Sequence, residues 1–133
     1  MSKKRKADPE ASLQRSLCQQ VKLRIRPKVI WFSVPNEREC KAWHMANLKA
    51  MGLRPGVADL VFIPPGYATC FMELKWGKLK QSPSQIQFEN DCLKNGSKYA
   101  LCYNIDTAVQ QLIDWGIIVD EATYIRQCRR ATA

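Results

Sequence analysis

The 133-residue, 15.3 kDa chain is long enough for one compact domain and too short for two of ordinary size. Its 46% hydrophobic and 25% charged residues are ordinary globular proportions, which excludes a chain disordered throughout and confines disorder to the ends. A net charge of +9 favours a polyanionic partner such as nucleic acid, whose condensed counterions basic side chains displace, but a plain basic protein has the same balance.

Residues 1–7 form a basic tail ahead of any folded element, and its run Lys3-Lys4-Arg5-Lys6 supplies four of the nine surplus charges. The tail either adds non-specific affinity for DNA or only aids solubility, and residues 8–133 are expected to form the single domain. Asp8-Pro9-Glu10 opens a helix, with Asp8 as cap, Pro9 at the first position and Glu10 favoured by the helix dipole. Leu13, Leu17 and Val21 repeat at helical spacing and carry it to about Arg26, before Pro27. Residues 29–34 are β-branched and aromatic, a strand stopped by Pro35-Asn36. A second helix is expected over residues 38–51, ending at Gly52.

Residues 57–63 and 69–75 read as strands joined by Pro64-Pro65-Gly66-Tyr67, which continues neither and favours a β-hairpin. Ser82-Pro83-Ser84-Gln85 is a capping box that opens a helix to about Asn95-Gly96. Residues 98–104 make another strand, Asp106 caps a helix closed near Gly116, and residues 121–130 finish as a short amphipathic stretch. Such alternation implies an α/β fold, a central mixed sheet flanked by helices.

Six cysteines are scattered without a C-x-x-C pair, against a zinc knuckle or a disulfide framework and in favour of a reducing setting. His44, the lone histidine, has no partner in the pattern and is left out of any site. With no apolar stretch near the ~20 residues that span a bilayer and no signal sequence, the protein is expected to be soluble, intracellular and without a membrane partner.

Chemistry concentrates in Pro55-Gly56-Val57-Ala58-Asp59 and, across the hairpin, Glu73-Leu74-Lys75. Asp59 interrupts a strand, where a carboxylate is expensive to bury without a cation or donors. Glu73 and Lys75 lie two apart and share a face, while Met72 and Leu74 point to the other. The hairpin sets Asp59 beside Glu73, so two acids and an ammonium meet. Hard divalent cations take oxygen ligands and keep several waters, and such a site suits phosphodiester hydrolysis. The bare E-x-K spacing is equally that of an exposed ion pair worth less than about 1 kcal/mol; the G-x-x-D strand before it and the Ser-Pro-Ser-Gln helix after it make the difference.

Together these motifs resemble the virus-type replication-repair nucleases (VRR-NUC), a branch of the PD-(D/E)XK superfamily. The resemblance runs from Glu10 to about Trp115 through Glu10 and Gln14, the turn Val34-Pro35-Asn36, Gly56-Val57-Ala58-Asp59-Leu60, Glu73-Leu74-Lys75 and Gln85. It implies a restriction-endonuclease-like core and a Mg²⁺- or Mn²⁺-dependent DNA nuclease. In that pattern Asp59 and Glu73 are metal carboxylates, Lys75 is the catalytic lysine, Leu74 lends its carbonyl to the metal, and Glu10 and Gln85 complete the site. The superfamily's proline is displaced here to Pro55. The resemblance further implies a structure-dependent endonuclease on branched or junction DNA, a homodimer, and a place in replication, repair or recombination. Its setting would be a phage- or bacterium-like cytoplasm, or the nucleus of a eukaryote.

Two roles remain open on the residues alone: an acid in a first turn is already explained by the dipole, and Gln85 by its capping box, although a helix N-terminus also presents amides to phosphate. Lys75, Trp76, Lys78 and Lys80 are expected to grip a DNA backbone and stack a base beside the site, unless they are a solvated loop. The rival from another class is a non-catalytic DNA-binding accessory that retains the fold.

Overall fold

In the computed structural model, which describes residues 8–35 and 41–132, the first helix begins where its cap dictates. Asp8 accepts from the Glu10 N–H at 3.0 Å and the Ala11 N–H at 3.4 Å. The elements are α1 (Pro9–Arg24), β1 (Ile30–Ser33), α2 (Ala42–Ala50), β2 (Leu60–Ile63), β3 (Cys70–Leu74), α3 (Pro83–Lys94), β4 (Lys98–Cys102), α4 (Ile105–Asp114) and α5 (Glu121–Ala131). This is the anticipated order of a mixed sheet with flanking helices. The basic tail, Cys40 and the expected start of the second helix near Arg38 fall outside the described residues.

The sheet runs β1-β2-β3-β4, antiparallel across its first two pairings and parallel across the third. The short Pro64-Pro65-Gly66-Tyr67 link permits only an antiparallel return, whereas β3 and β4 need a crossover, which α3 supplies. Strand alternation then sorts side chains onto two faces. Leu60, Phe62, Cys70, Met72 and Leu74 meet Leu13, Leu17 and Val21 of α1 and Ala108 and Leu112 of α4 in the main core. Phe71 and Glu73 face the other way, where Phe88 of α3 stands edge-on to Phe71 at 5.1 Å and packs with Ala58 and Cys92. Glu73 therefore looks toward α3 because Met72 and Leu74 look toward α1.

The chain after α4 is tied back to the end of α1. Buried Arg24 donates through Nε to the Val119 carbonyl at 3.0 Å, and the Val119 N–H returns a bond to the Arg24 carbonyl at 2.9 Å.

Three local expectations need correction. The strand expected over 57–63 begins at Leu60, so Asp59 does not interrupt a strand but stands one residue ahead of it, its carbonyl accepting from the Val34 N–H at 2.9 Å. The cap of α4 is Asn104, whose Oδ1 accepts from the Thr107 N–H at 2.8 Å; Asp106 lies in the first turn, favoured there by the dipole. Expected through Met51, α2 ends at Ala50 with Met51 as its C-cap, followed by Gly52 at φ +102°; no residue of α2 is buried.

The late start of β2 has a cause at Gly56. Its φ is +80°, and a Cβ there would lie 2.4 Å from the Ser84 carbonyl carbon and 2.6 Å from the Gln85 nitrogen. The backbone turns left-handed to pass against the first turn of α3, a conformation and a spacing that glycine alone accommodates. Gly56→Ala is expected to lower the unfolding free energy by roughly 1–3 kcal/mol from backbone strain, with the collision adding to it. Urea denaturation measures this; an unchanged midpoint would mean that the approach to α3 is not required.

Candidate metal centre

The hairpin register pairs Leu60 with Met72, so one step further along the antiparallel pair sets Asp59 opposite Glu73. The Leu74 N–H donates to Asp59 Oδ2 at 2.7 Å and fixes that carboxylate against the end of β3. Glu10, in the first turn of α1, reaches the same place from the other side of the sheet end. One carboxylate oxygen from each of Glu10, Asp59 and Glu73 lies within 4.8 Å of the other two. Opposite ligands of a single divalent cation stand about 4 to 5 Å apart, given metal–oxygen bonds of ~2.1 to 2.6 Å.

Gln85 is the bridge between fold and site. Its Oε1 accepts from the Ser82 N–H at 2.8 Å, closing the capping box, while its Nε2 donates to Glu73 Oε1 at 2.9 Å. It therefore caps α3 and holds one oxygen of Glu73 at the same time. The other oxygen, Glu73 Oε2, is buried without a hydrogen-bond partner. An unsatisfied anionic oxygen is costly in the interior, and a cation is the partner that the surrounding acids would share with it. The donor set is all oxygen, which suits Mg²⁺ or Mn²⁺ rather than a soft metal.

Burial is the main cause that pushes the Glu73 carboxyl up to about 8; the Asp59 and Glu10 charges raise it further, while Lys75 opposes them. Lys75 follows β3, and its N–H donates to the Cys102 carbonyl at 3.0 Å, so the ladder extends to it. Two residues beyond Glu73 it keeps to the same face, 5% exposed, beside an acid 1% exposed. A desolvated ammonium next to desolvated acids interacts far more strongly than an exposed pair.

A cavity of about 300 Å³ opens onto the cluster, lined by Glu10, Asp59, Glu73 and Gln85 together with Gly56 and Ser84. Met45 of α2 and the Val34-Pro35 turn also reach it. Met45 carries no chemical signature that a single sequence could reveal; it fills the rim as an apolar residue. Leu74 contributes its backbone at the cluster, its side chain being in the main core. Trp76, Lys78 and Lys80 are exposed on the loop after β3 and do not line this cavity. That loop is pinned by Tyr103, whose hydroxyl donates to the Leu79 carbonyl at 2.9 Å, and by Gln81, which donates to Tyr99 Oη at 3.0 Å and Glu89 at 3.1 Å. His44 is exposed on α2 against Trp43, away from the acids.

No family profile and no curated protein matches the sequence. Among solved structures the chain is similar to a "VRR_NUC domain protein", at 23% identity and a TM-score of 0.65, over 85% of this chain and 94% of that one. It has the VRR_NUC fold. A second similar structure, a "VRR_NUC domain", agrees at 20% identity and a TM-score of 0.56, covering 81% of this chain and 97% of that one. The VRR_NUC fold accounts for the mixed sheet with helices on both faces. No helix among the described residues is long and apolar enough to cross a membrane.

The raised Glu73 carboxyl gives a signed expectation for the metal-free protein. Between the ordinary glutamate range near 4.5 and the folded value of about 8, the folded state holds a proton that the unfolded state has released. Stability in EDTA should therefore fall as pH rises through that window, and a divalent cation should oppose the fall. Glu73→Gln, which keeps an acceptor for Gln85, should flatten the dependence and be the more stable protein at pH 8. Denaturant titrations across the window measure it; a native profile as flat as the variant's would refute the assignment.

Proposed function

We propose that residues 8–133 form one nuclease domain that hydrolyses phosphodiester bonds in DNA with the help of Mg²⁺ or Mn²⁺. The observation that carries this reading is the convergence of Glu10, Asp59 and Glu73 around a buried oxygen without a partner, next to buried Lys75. A VRR_NUC fold supports it, since acids at that end of the sheet are where such a reading expects them.

Glu10, Asp59 and Glu73, with the Leu74 carbonyl, would hold the ion. Bound there, Mg²⁺ or Mn²⁺ polarises the phosphoryl oxygens and lowers the pKa of an attacking water. Gln85 holds Oε1 of Glu73, and the Leu74 amide holds Asp59, so the acids keep their geometry without relying on the ion. Lys75 supplies a fixed positive charge that orients the water and stabilises charge developing on the phosphate. Ser82, Ser84 and Gln85 bring the N-terminus of α3 to the cavity wall, where backbone amides favour an anion. Lys78, Lys80 and exposed Trp76 contact the DNA beside the cut, as phosphate grips and a stacking surface.

The preferred substrate in this reading is branched or junction DNA, cut by a homodimer whose two sites address two strands. That part rests on the motif resemblance.

Asp59→Ala or Lys75→Ala should lower metal-dependent cleavage by at least about a hundredfold, the scale of removing one preorganised transition-state interaction. DNA binding should stay within a few-fold of native. Cleavage of branched, flapped and linear DNA, with binding followed in parallel, tests this. Native-like turnover in either purified variant would sink the nuclease reading, and binding by the native chain without any cleavage in Mg²⁺ or Mn²⁺ would favour an accessory that only binds.

A further inference from the structure

Beyond the acidic cavity a second groove, of about 770 Å³, runs between α1 and β1. The two share Glu10, Val34, Pro35 and Asp59, so one continues into the other. Away from the acids the lining changes character: Gln14, Arg15, Gln19 and Lys22 come from α1, and Trp31 and Phe32 from β1. Arg15, Gln19 and Lys22 are exposed. Trp31 is half-buried, its ring parallel to Phe62 at 6.1 Å, so the aromatic surface of this wall rests on the core, whereas Phe32, the next residue of β1, points to the other face of the sheet.

From these features we infer that the groove receives an unpaired DNA strand leading to the acidic cluster. The inference rests on the nuclease reading and adds to it the form of the nucleic acid. Two observations select the occupant. The groove is polarised: its acids gather at the end shared with the cavity, and its cations Arg15 and Lys22 follow along α1, about 18 Å from Glu10 to Lys22 at ~1.5 Å rise per residue. That is the order a phosphate chain needs, with one phosphate delivered to a cation held by acids and the following ones neutralised by basic side chains. The wall opposite is aromatic, and an aromatic surface gains from nucleic acid only by stacking on a base whose face is open, which pairing within a duplex denies. Gln14 and Gln19 offer both donors and acceptors to sugars and base edges without selecting a sequence.

The test uses the full chain with Lys75→Ala, in Mg²⁺, so that the strand is held and not consumed. Binding of a labelled mixed-sequence single strand is compared with that of the corresponding blunt duplex. Adding Arg15→Glu and Lys22→Glu, both on the exposed side of α1, should weaken the single strand and leave the duplex within a few-fold. The salt dependence of single-strand binding should become shallower by about 0.7 in log–log slope for each phosphate no longer neutralised. Trp31→Leu, which keeps an apolar side chain against Phe62, should cost the single strand roughly tenfold if one base stacks there.

Equal weakening for strand and duplex, or none for either, would overturn the groove while leaving the nuclease reading intact. Absence of DNA binding before the groove is altered would remove both. Sedimentation of native and substituted chains covers the other way this face could be used: a change in oligomeric state on substitution would make the groove an interface between copies and overturn the inference.

Discussion

Three carboxylates within a few ångströms of one another repel, and the repulsion grows as water is withdrawn. Glu73 is the most demanding of the three here, because it is almost fully buried and one of its oxygens has no partner. Much of the surrounding structure follows from keeping that acid in place. Gln85 holds one oxygen, Lys75 supplies the opposite charge from the same face of β3, and the Leu74 amide draws Asp59 into register beside it. The N-termini of α1 and α3 also abut the cluster, through Glu10 and Gln85, and their partial positive charge favours acids and phosphates alike. Burial first, and the Asp59 and Glu10 charges after it, push the Glu73 carboxyl far above its usual range, so that in the metal-free protein a proton relieves the conflict.

The capping box of α3 shows how a local rule becomes a functional one. A glutamine at the third helical position returns a bond to the cap nitrogen and needs only its oxygen to do so. Its amide nitrogen is then left pointing away from the helix, and in this chain it meets Glu73. Gly56 completes the arrangement by letting the turn before β2 close onto Ser84 and Gln85, so that the segments bearing Asp59 and Gln85 are in contact. Stability of the helix start and geometry of the acids are thus the same problem, and a defect in one propagates to the other.

Much of this is legible in the sequence because it is encoded over short distances. The Asp8 cap, the Ser82–Gln85 box, the proline-rich hairpin link and the shared face of Glu73 and Lys75 each follow from residues within a few positions of one another. Glu10 is not decidable in that way. An acid in a first turn is satisfied by its own helix, and only packing of α1 on the sheet, through Leu13, Leu17 and Val21, carries it to Asp59. The cap of α4 is ambiguous from residue types because Asn104 and Asp106 both suit a helix start, and the extent of β4, which ends at Cys102, decides for Asn104. Met45 is invisible because apolar residues that rim a site look like any others.

The first helix also joins the two regions of chemistry on this surface. One flank buries Leu13, Leu17 and Val21, while its start contributes Glu10 to the acids and its exposed side contributes Arg15 and Lys22 to the adjoining groove. Because a helix is stiff over four turns, these groups keep fixed spacing relative to one another and to Asp59. A strand held along α1 would then meet the acids in one register, since the helix proposed to grip it also carries Glu10, a proposed ligand of the ion. Positioning on the reaction scale asks for that kind of rigidity, as an offset of about 1 Å at the reacting atom can cost ~100-fold in rate. The buried flank of α1 therefore bears on chemistry as well as on stability: loosening its packing would move the proposed metal ligand and the proposed strand-binding side chains together.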